Sequence, residues 1–418
     1  MTVDFHINKK RLWHHIHEMG KIGRKEDGLH CVALTKEDME GIALLRTFME
    51  EAGLSVRYDS AGNLIGRKEG RFPELPIVMT GSHSDTVYGG GMFDGRLGIL
   101  GAIEALQSMN EQGIQCDHPI EVYAYRDEEG NRFPRGYSSA RFLAGTPRHE
   151  IFETTDKDGI TMYEALVSCG IKPGEAENAK LPEGYVKAHL ELHIEQGSVL
   201  ERENLPVGVV SGIFCQARGF CTIDGVASHS GTTPMDIRKD ALCGAAELIL
   251  AVEKSAKSRS DAVATVGKCE IAPDAINVVP GNVRLSFDIR MMEPEDVRQL
   301  IAEIHDDADR IARERELDLH FDLPLPEGNS SKLFNTRVRG IIADSIAEMD
   351  LPVRSLPSGA GHDSGVFCNR FPCGMIFVRS KDGISHNKAE FSSMEDCAAG
   401  AEVLGRSIMR LADKKCVI

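Results

Sequence analysis

Apolar residues recur along this chain at two spacings. Leu75 to Met79 and Pro119 to Tyr125 are short apolar runs of strand length, and His189 to Ile194 sets Leu190, Leu192 and Ile194 against His189, Glu191 and His193, the period of two that a strand imposes. The first run leads into a polar turn, Thr80-Gly81-Ser82. Asp94 to Met109 then reads as a helix capped by Asp94. Arg126 to Gly130 is a charged break. Strands alternating with helices predict an α/β layer architecture.

From about Ile213 the order of elements changes. Strand Arg218 to Asp224, helix Asp236 to Ser258, strands Ala262 to Ile271 and Asn282 to Met292, helix Glu293 to Glu316 and strand Leu317 to Leu323 follow in turn. That is β-α-β-β-α-β, the ferredoxin-like sequence of elements, with period-two alternation at Val283, Leu285, Phe287 and Ile289. The pattern predicts an inserted domain over 213–328, within a first domain built from 1–212 and 329–418. Leu323 to Ser331 would be the return linker, followed by a helix over Lys332 to Met349 and a strand over Cys373 to Val378.

Composition narrows the class. With 418 residues, 42% hydrophobic and 27% charged, the chain is of ordinary globular type and long enough for two or three domains at roughly 100–200 residues each. Its net charge of −16 argues against a nucleic-acid partner, which would need a basic surface. No stretch approaches the roughly 18 apolar residues of a membrane span. The first residues lack the apolar core of a secretory signal, so a cytoplasmic location is expected. Eleven irregularly spaced cysteines without a C-x-x-C pair predict reduced, mostly buried thiols.

Candidate chemistry gathers at strand ends and loops: His83 and Asp85 in GSHSDT, Asp94 in GGGMFDGRLG, Asp127, Glu128 and Glu129 in RDEEGNRF, His193 and Glu195 in LHIEQG, and His386 in GISHNKAE. Imidazole and carboxylate are the ligand types of zinc and related divalent ions, and two ions sharing one carboxylate make a hydrolytic site. Five ligands suffice if one bridges. A lone His is more often a hydrogen-bonded surface or core residue, and an acidic pair is more often a solvated charge run. Context favours the functional reading here. Glycines around Asp94 permit close backbone approach, and a buried trio at Asp127 to Glu129 would be costly without a cation. Other chemistries lose their anchors: there is no G-x-S-x-G elbow, no H-E-x-x-H pair and no phosphate-binding G-x-x-x-x-G-K-[ST] loop.

Together with SHSGTTPM, NVVPGNVRLSFDIR, SGAGHDS and MIFVRSKDGISHNKAE, these motifs resemble the amidase/carbamoylase branch of the dinuclear aminoacylase and carboxypeptidase metallohydrolases. Its members include N-carbamoyl-L-amino-acid hydrolases, allantoate amidohydrolases and β-ureidopropionases. The resemblance runs from about Leu12 to Leu411. It implies a zinc-peptidase-like catalytic domain, with a mixed sheet flanked by helices, and an inserted lid and dimerisation domain. Two divalent ions per subunit are implied (zinc, manganese, cobalt or nickel), one held by His83, Asp94 and His193 and the other by Asp94, Glu129 and His386.

By the same resemblance Asp85 orients His83 and Glu128 is the general base. Arg290 is the clamp for a substrate carboxylate, and His229 and Asn277 donate to the oxygen that gains charge. From the residues alone, Arg290 reads equally as a surface strand residue and His229 as a turn cap. Gln196, Gln216, Arg218, Gly359 and His362 are further candidates for lining the pocket, while Gly359 with Gly361 also fits a tight turn and Asp363 a helix cap.

The resemblance also implies a homodimer through the inserted domain, with His229 reaching the partner's site, and closure about hinges near Ser211 to Ile213 and Leu323 to Ser331. Ser84 replaces the family's apolar residue between His83 and Asp85, Cys215 and Cys221 flank the inserted domain's first strand, and Asn131 to Tyr137 lies in a stretch that varies among subgroups. The implied reaction is hydrolysis of the ureido bond of an N-carbamoyl-L-amino acid to the free amino acid, ammonia and carbon dioxide. Allantoate, or a β-ureidopropionase- or ureidoglycolate-type substrate, is the near alternative and an aminoacylase or dipeptidase the distant one. A metal-binding scaffold without activity would need to have lost a ligand or the base, and neither is missing.

Overall fold

The computed structural model describes residues 5–325 and 332–418. The first stretch contains helices α1 (Lys9–Met19) and α2 (Lys36–Glu51), strands β1 (Ser55–Tyr58), β2 (Leu64–Lys68) and β3 (Ile77–His83), helix α3 (Arg96–Glu111), strand β4 (Ile120–Tyr125), helix α4 (Ser138–Ala144), and strands β5 (Val186–Ile194) and β6 (Val207–Ile213). Next come β7 (Cys215–Asp224), α5 (Ala241–Lys257), β8 (Val263–Thr265), β9 (Cys269–Ala272), β10 (Asn282–Met291), α6 (Pro294–Arg315) and β11 (Asp318–Asp322). The chain ends with α7 (Thr336–Ala347), β12 (Ser355–Ser358), α8 (Ser364–Phe367), β13 (Cys373–Val378) and α9 (Met394–Leu411). Contacts divide it into two compact units, Met1–Gly212 with Leu333–Ile418, and Ile213–Lys332.

The first unit is built on a nine-stranded mixed sheet in which β6, β13, β5, β3, β4, β2 and β1 are successive neighbours. Its centre, β13-β5-β3-β4, is parallel. Parallel strands need both faces covered. Helix α3 packs on β3 and β5 and against α9, with Leu97, Leu100, Ile103, Leu192, Ile376, Leu404 and Ile408 all fully buried. Each such side chain contributes about 1.5–3 kcal/mol of transfer free energy.

The second unit is an antiparallel sheet in the order β8-β10-β7-β11, with β9 also paired to β10. Helices α5 and α6 pack on each other and on the sheet. Val283, Leu285, Phe287, Ile289 and Met291 alternate into this core, as period-two patterning dictates.

Several local expectations are corrected. Thr80-Gly81-Ser82 is not a turn: it continues β3 and pairs with Val122, Tyr123 and Ala124. Gly81 is there because a Cβ would lie 2.1 Å from the Tyr123 carbonyl oxygen, so the small residues mark a close crossing. Asp94 does not cap α3; Gly95 occupies that position at φ 64°, and the Asp94 carboxylate is used elsewhere. The strand expected over Ala262 to Ile271 is two, β8 and β9, separated by a break that Lys268 and Ser286 tie down through mutual hydrogen bonds. Helices α5 and α7 start later than expected, at caps Asp240 and Asn335, whose side chains accept from Leu242 and Cys243 and from Arg337 and Val338 respectively. Most of the predicted return linker, Leu323 to Ser331, lies outside the described residues. All eleven cysteines are free. Among the described residues no helix is long and apolar enough to cross a membrane.

Candidate metal centre

The carboxyl ends of parallel strands leave a crevice where loops diverge, and the ionisable motifs converge there. His83 ends β3, His193 lies near the end of β5, and Arg126 to Glu129 leaves β4. Asp94 reaches the same point from the loop before α3. Its Oδ1 lies 3.0 Å from His193 Nε2 and 3.4 Å from His83 Nε2, while its Oδ2 lies 3.3 Å from His386 Nε2. His386 Nε2 is also 3.4 Å from Glu129 Oε2. Four groups of ligand atoms lie within 4.8 Å of one another among the described residues, including His83/Glu128/Glu129, and two of the four meet at Asp94: His83/Asp94/His193 and Asp94/Glu129/His386. Asp94 belongs to both, with one oxygen toward each. Gly95 makes this possible, because a Cβ there would sit 2.4 Å from the His83 ring.

The electrostatics of the cluster fit a divalent cation. Burial pushes Glu129 up to about 7, with Asp94 adding to the effect, and burial with neighbouring Glu129 lifts Glu128 well above the usual carboxylate range, against the pull of His83. His386 is pushed up to about 9, first by its hydrogen bond to Asp94. Burial works against protonating His83 and His193, yet Glu128 and Asp94 raise the first and Asp94 the second. Carboxylates that draw protons onto three imidazoles lack positive charge, which a bound cation supplies.

Glu128 lines the crevice 4.0 Å from His83 Nε2. The expectation that the Asp85 carboxylate orients His83 is corrected: His83 Nδ1 bonds the Asp85 backbone carbonyl at 3.0 Å. The carboxylate of Asp85 instead accepts from the backbone N–H groups of Glu128 and Glu129, at 3.2 and 3.3 Å. It therefore holds the loop that carries both acids.

Other supports were not read from sequence. Glu390 Oε1 accepts from the N–H of Phe93 and of Asp94, and Ser385 Oγ donates to Asp94 Oδ2 at 2.9 Å. Glu390 sits inside the quoted GISHNKAE motif, four residues beyond His386, which was the available signal. Glu191, on the same strand face as His193, accepts from Ser82 Oγ and from both the N–H and Oγ of Ser364, tying the 358–364 loop to β5.

Gln196 lines the crevice and donates to Asp94 Oδ2 at 2.8 Å. His362 packs edge-to-face against His193, ring centroids 4.4 Å apart, with Nε2 at 2.8 Å from Ser358 Oγ. Gly359 is exposed and Ala360 and Gly361 form the wall in its place. The Asp363 side chain makes no cap to α8, and its buried carboxylate oxygens have no hydrogen-bond partner among the described residues.

In the second unit, His229 is exposed at the end of a two-residue strand paired with Val278–Val279, which places it beside Asn277. Its Nδ1 accepts from Gly231 N–H at 3.0 Å, the turn contact that the sequence also allowed. Gln216 pairs across from Arg290, and Arg218 from Asp288. All three predicted residues converge on Asp288: Arg290 donates through Nε and Nη2 at 2.8 Å each, Arg218 Nε at 2.9 Å, and Gln216 Nε2 at 3.2 Å. Asp288 lies in the same NVVPGNVRLSFDIR motif, two residues before Arg290, and was not among the candidates.

Residues 73–410 match peptidase family M20/M25/M40. The chain is 42% identical to an N-carbamoyl-L-amino acid amidohydrolase of Geobacillus stearothermophilus, over 97% of this chain and 99% of that protein. It is 34% identical to the allantoate amidohydrolase of Escherichia coli (strain K12), over 93% and 94%. Among solved structures, an amidase of the hydantoinase/carbamoylase family from Burkholderia multivorans superposes with a TM-score of 0.92 at 34% identity, covering 98% of both chains. The chain is therefore a hydrolase that belongs to peptidase family M20/M25/M40 and, within it, to the hydantoinase/carbamoylase amidases.

Proposed function

We propose that this protein hydrolyses the ureido C–N bond of an N-carbamoyl-L-amino acid, giving the free amino acid, ammonia and carbon dioxide with one water consumed. The observation that carries this reading is the pairing of a ligand set shared through Asp94 with a buried carboxylate, Glu128, that belongs to neither trio around Asp94. The names of the relatives supply the substrate class.

His83, Asp94 and His193 would hold one divalent ion and Asp94, Glu129 and His386 a second, zinc, manganese, cobalt and nickel all suiting such ligands. When bound, the ions supply Lewis-acid polarisation and lower the pKa of water. Glu128 accepts the proton of the attacking water and returns it to the leaving nitrogen, for which its raised proton affinity suits it. Asp85 keeps Glu128 in place through the backbone. Arg290, aligned by Asp288, binds the substrate carboxylate bidentately, Gln216 and Arg218 flank it, and His229 and Asn277 donate to the developing oxyanion.

We further assign a homodimer through the second unit, with His229 serving the partner's site. Support comes from the exposed edge formed by β8 and β9 and from Leu250 and Val263 on that unit's surface. A fully active monomer in sedimentation would overturn this.

Ammonia release from N-carbamoyl-L-methionine, N-carbamoyl-β-alanine and allantoate, with release of free methionine read for N-acetyl-L-methionine, tests the reaction. Turnover of the first, abolished by chelator and restored by divalent cation, is expected. Turnover of allantoate alone would favour the second reading, which the relative from Escherichia coli supports; cleavage of the acetyl compound alone would overturn both.

A further inference from the structure

The segment between Glu129 and α4 places two side chains in the crevice wall that the ligand set does not use, Arg135 and Tyr137. Arg135 is committed to Glu150 at 3.0 Å, and the amide of Gln196 is committed to Asp94. The remaining wall groups are largely acceptors or imidazoles that cluster about Asp94. Tyr137 differs. Among the described residues its hydroxyl makes no hydrogen bond, so it is an O–H donor left free in a cavity of about 230 Å³.

Its position is over-determined. Tyr137 adopts φ 56°, a left-handed conformation uncommon outside glycine, and such strain concentrates where function needs it. Its N–H donates to the Glu128 carbonyl at 3.1 Å, which links the phenol to the loop carrying the base. Across the crevice, a Cβ at Gly361 would lie 1.9 Å from Tyr137 Oη, so the glycine makes room for the hydroxyl. Burial, with Glu128, Asp363 and Glu129 nearby, keeps the phenol protonated. A neutral donor beside a general base complements a carbonyl oxygen as it gains charge.

We propose that the Tyr137 hydroxyl donates a hydrogen bond to the reacting ureido group next to Glu128, making Tyr137 a further catalytic residue of this chain. The identity of the group rests on the ureido reading above; the donor, its position and its freedom do not.

The test compares metal-loaded wild type with Tyr137→Phe for ammonia release from N-carbamoyl-L-methionine. A hydrogen bond to a group gaining charge predicts a kcat loss of about 10–100-fold, with KM changing less, because the bond strengthens only as charge develops. Thermal unfolding should match wild type. Gly361→Ala, which displaces the phenol, should lower kcat in wild type but add little to Tyr137→Phe. In the Glu128→Gln protein, substrate should shift the NMR signal of selectively labelled Tyr137. Wild-type kcat in Tyr137→Phe, a loss that tracks a fall in Tm, or an unmoved Tyr137 signal overturns the assignment while the ureido reading stands. A wild type silent on every ureido substrate overturns that reading, and this one with it.

Discussion

Two regions of this molecule hold carboxylates against cationic side chains, and they do it in opposite ways. At the strand ends of the first unit, Glu128 and Glu129 are buried and their proton affinities rise. On the sheet of the second unit, Asp288 is partly exposed, and Arg290 and Arg218 hold it well below the usual carboxylate range. The second cluster is neutralised by the chain's own guanidiniums. The first is not: Arg135 in its wall pairs with Glu150, and among the described residues the cationic candidates that bond Asp94 and Glu129 are imidazoles, which carry charge there because the carboxylates impose it. Burying carboxylates without permanent cations is costly, and a fold tolerates it where a bound ion completes the site. The contrast separates a region that needs something from outside from one that is finished in itself.

The sharpest way to break this comparison is to remove the base while leaving both ligand trios around Asp94. Glu128→Gln should lower kcat by about 10²–10⁴-fold, the usual contribution of general acid–base catalysis, with metal content by elemental analysis unchanged. Normal turnover would sink the assigned mechanism; loss of metal would move Glu128 into the ligand set.

The next effect is on stability and has a defined sign. Glu129 is raised to about 7 in the metal-free protein, from 4.5. Its favourable contribution is therefore complete below pH 4.5 and lost as pH rises through about 7. His386, raised from 6.5 to about 9, loses its contribution over the higher window as pH passes 9. Metal binding needs the same groups deprotonated. The gap in unfolding free energy between metal-loaded and stripped protein should thus widen from pH 5 to 8, by up to about 1.4 kcal/mol per pH unit for each proton released. A gap independent of pH would mean that these residues do not hold the ion.

Much of this centre was legible in the sequence because ligand chemistry restricts residue type. His83, Asp94, Glu129, His193 and His386 sit in short motifs flanked by glycine or acid, and the alternation of strand and helix places such motifs at strand ends. The split βαββαβ order was legible for the same reason, since Val283 to Ile289 can face only one way along a strand. What stayed hidden depends on where backbone and side chain meet in space. The resemblance makes Asp85 the partner of His83, but its carboxylate reaches the N–H groups of Glu128 and Glu129 instead. Thr80 to Ser82 has the composition of a turn and serves as strand because Tyr123 crosses close to Gly81. Tyr137 and Asp288 escaped because neither residue type announces a role; each acquires one through its neighbours.

Asp288 gives the mildest test, and the one that sharpens the comparison most. Its carboxylate already fills the Nε and Nη2 side of the Arg290 guanidinium while also binding Arg218. If its work is to aim a clamp, Asp288→Asn should keep much of the geometry but weaken the charge-assisted bonds, leaving Arg290 more mobile. Fixing a side chain on binding costs about 0.5–1.5 kcal/mol, so KM should rise by roughly 2–10-fold while kcat changes little. Stability should barely move, because a partly exposed ion pair is worth only about 0–1 kcal/mol. Asp288→Ala, which removes the acceptor altogether, should raise KM further in the same direction. A fall in KM would reverse the interpretation: Asp288 would then compete with the substrate carboxylate for the same guanidinium, and the second unit's cluster would be finished in itself at the substrate's expense.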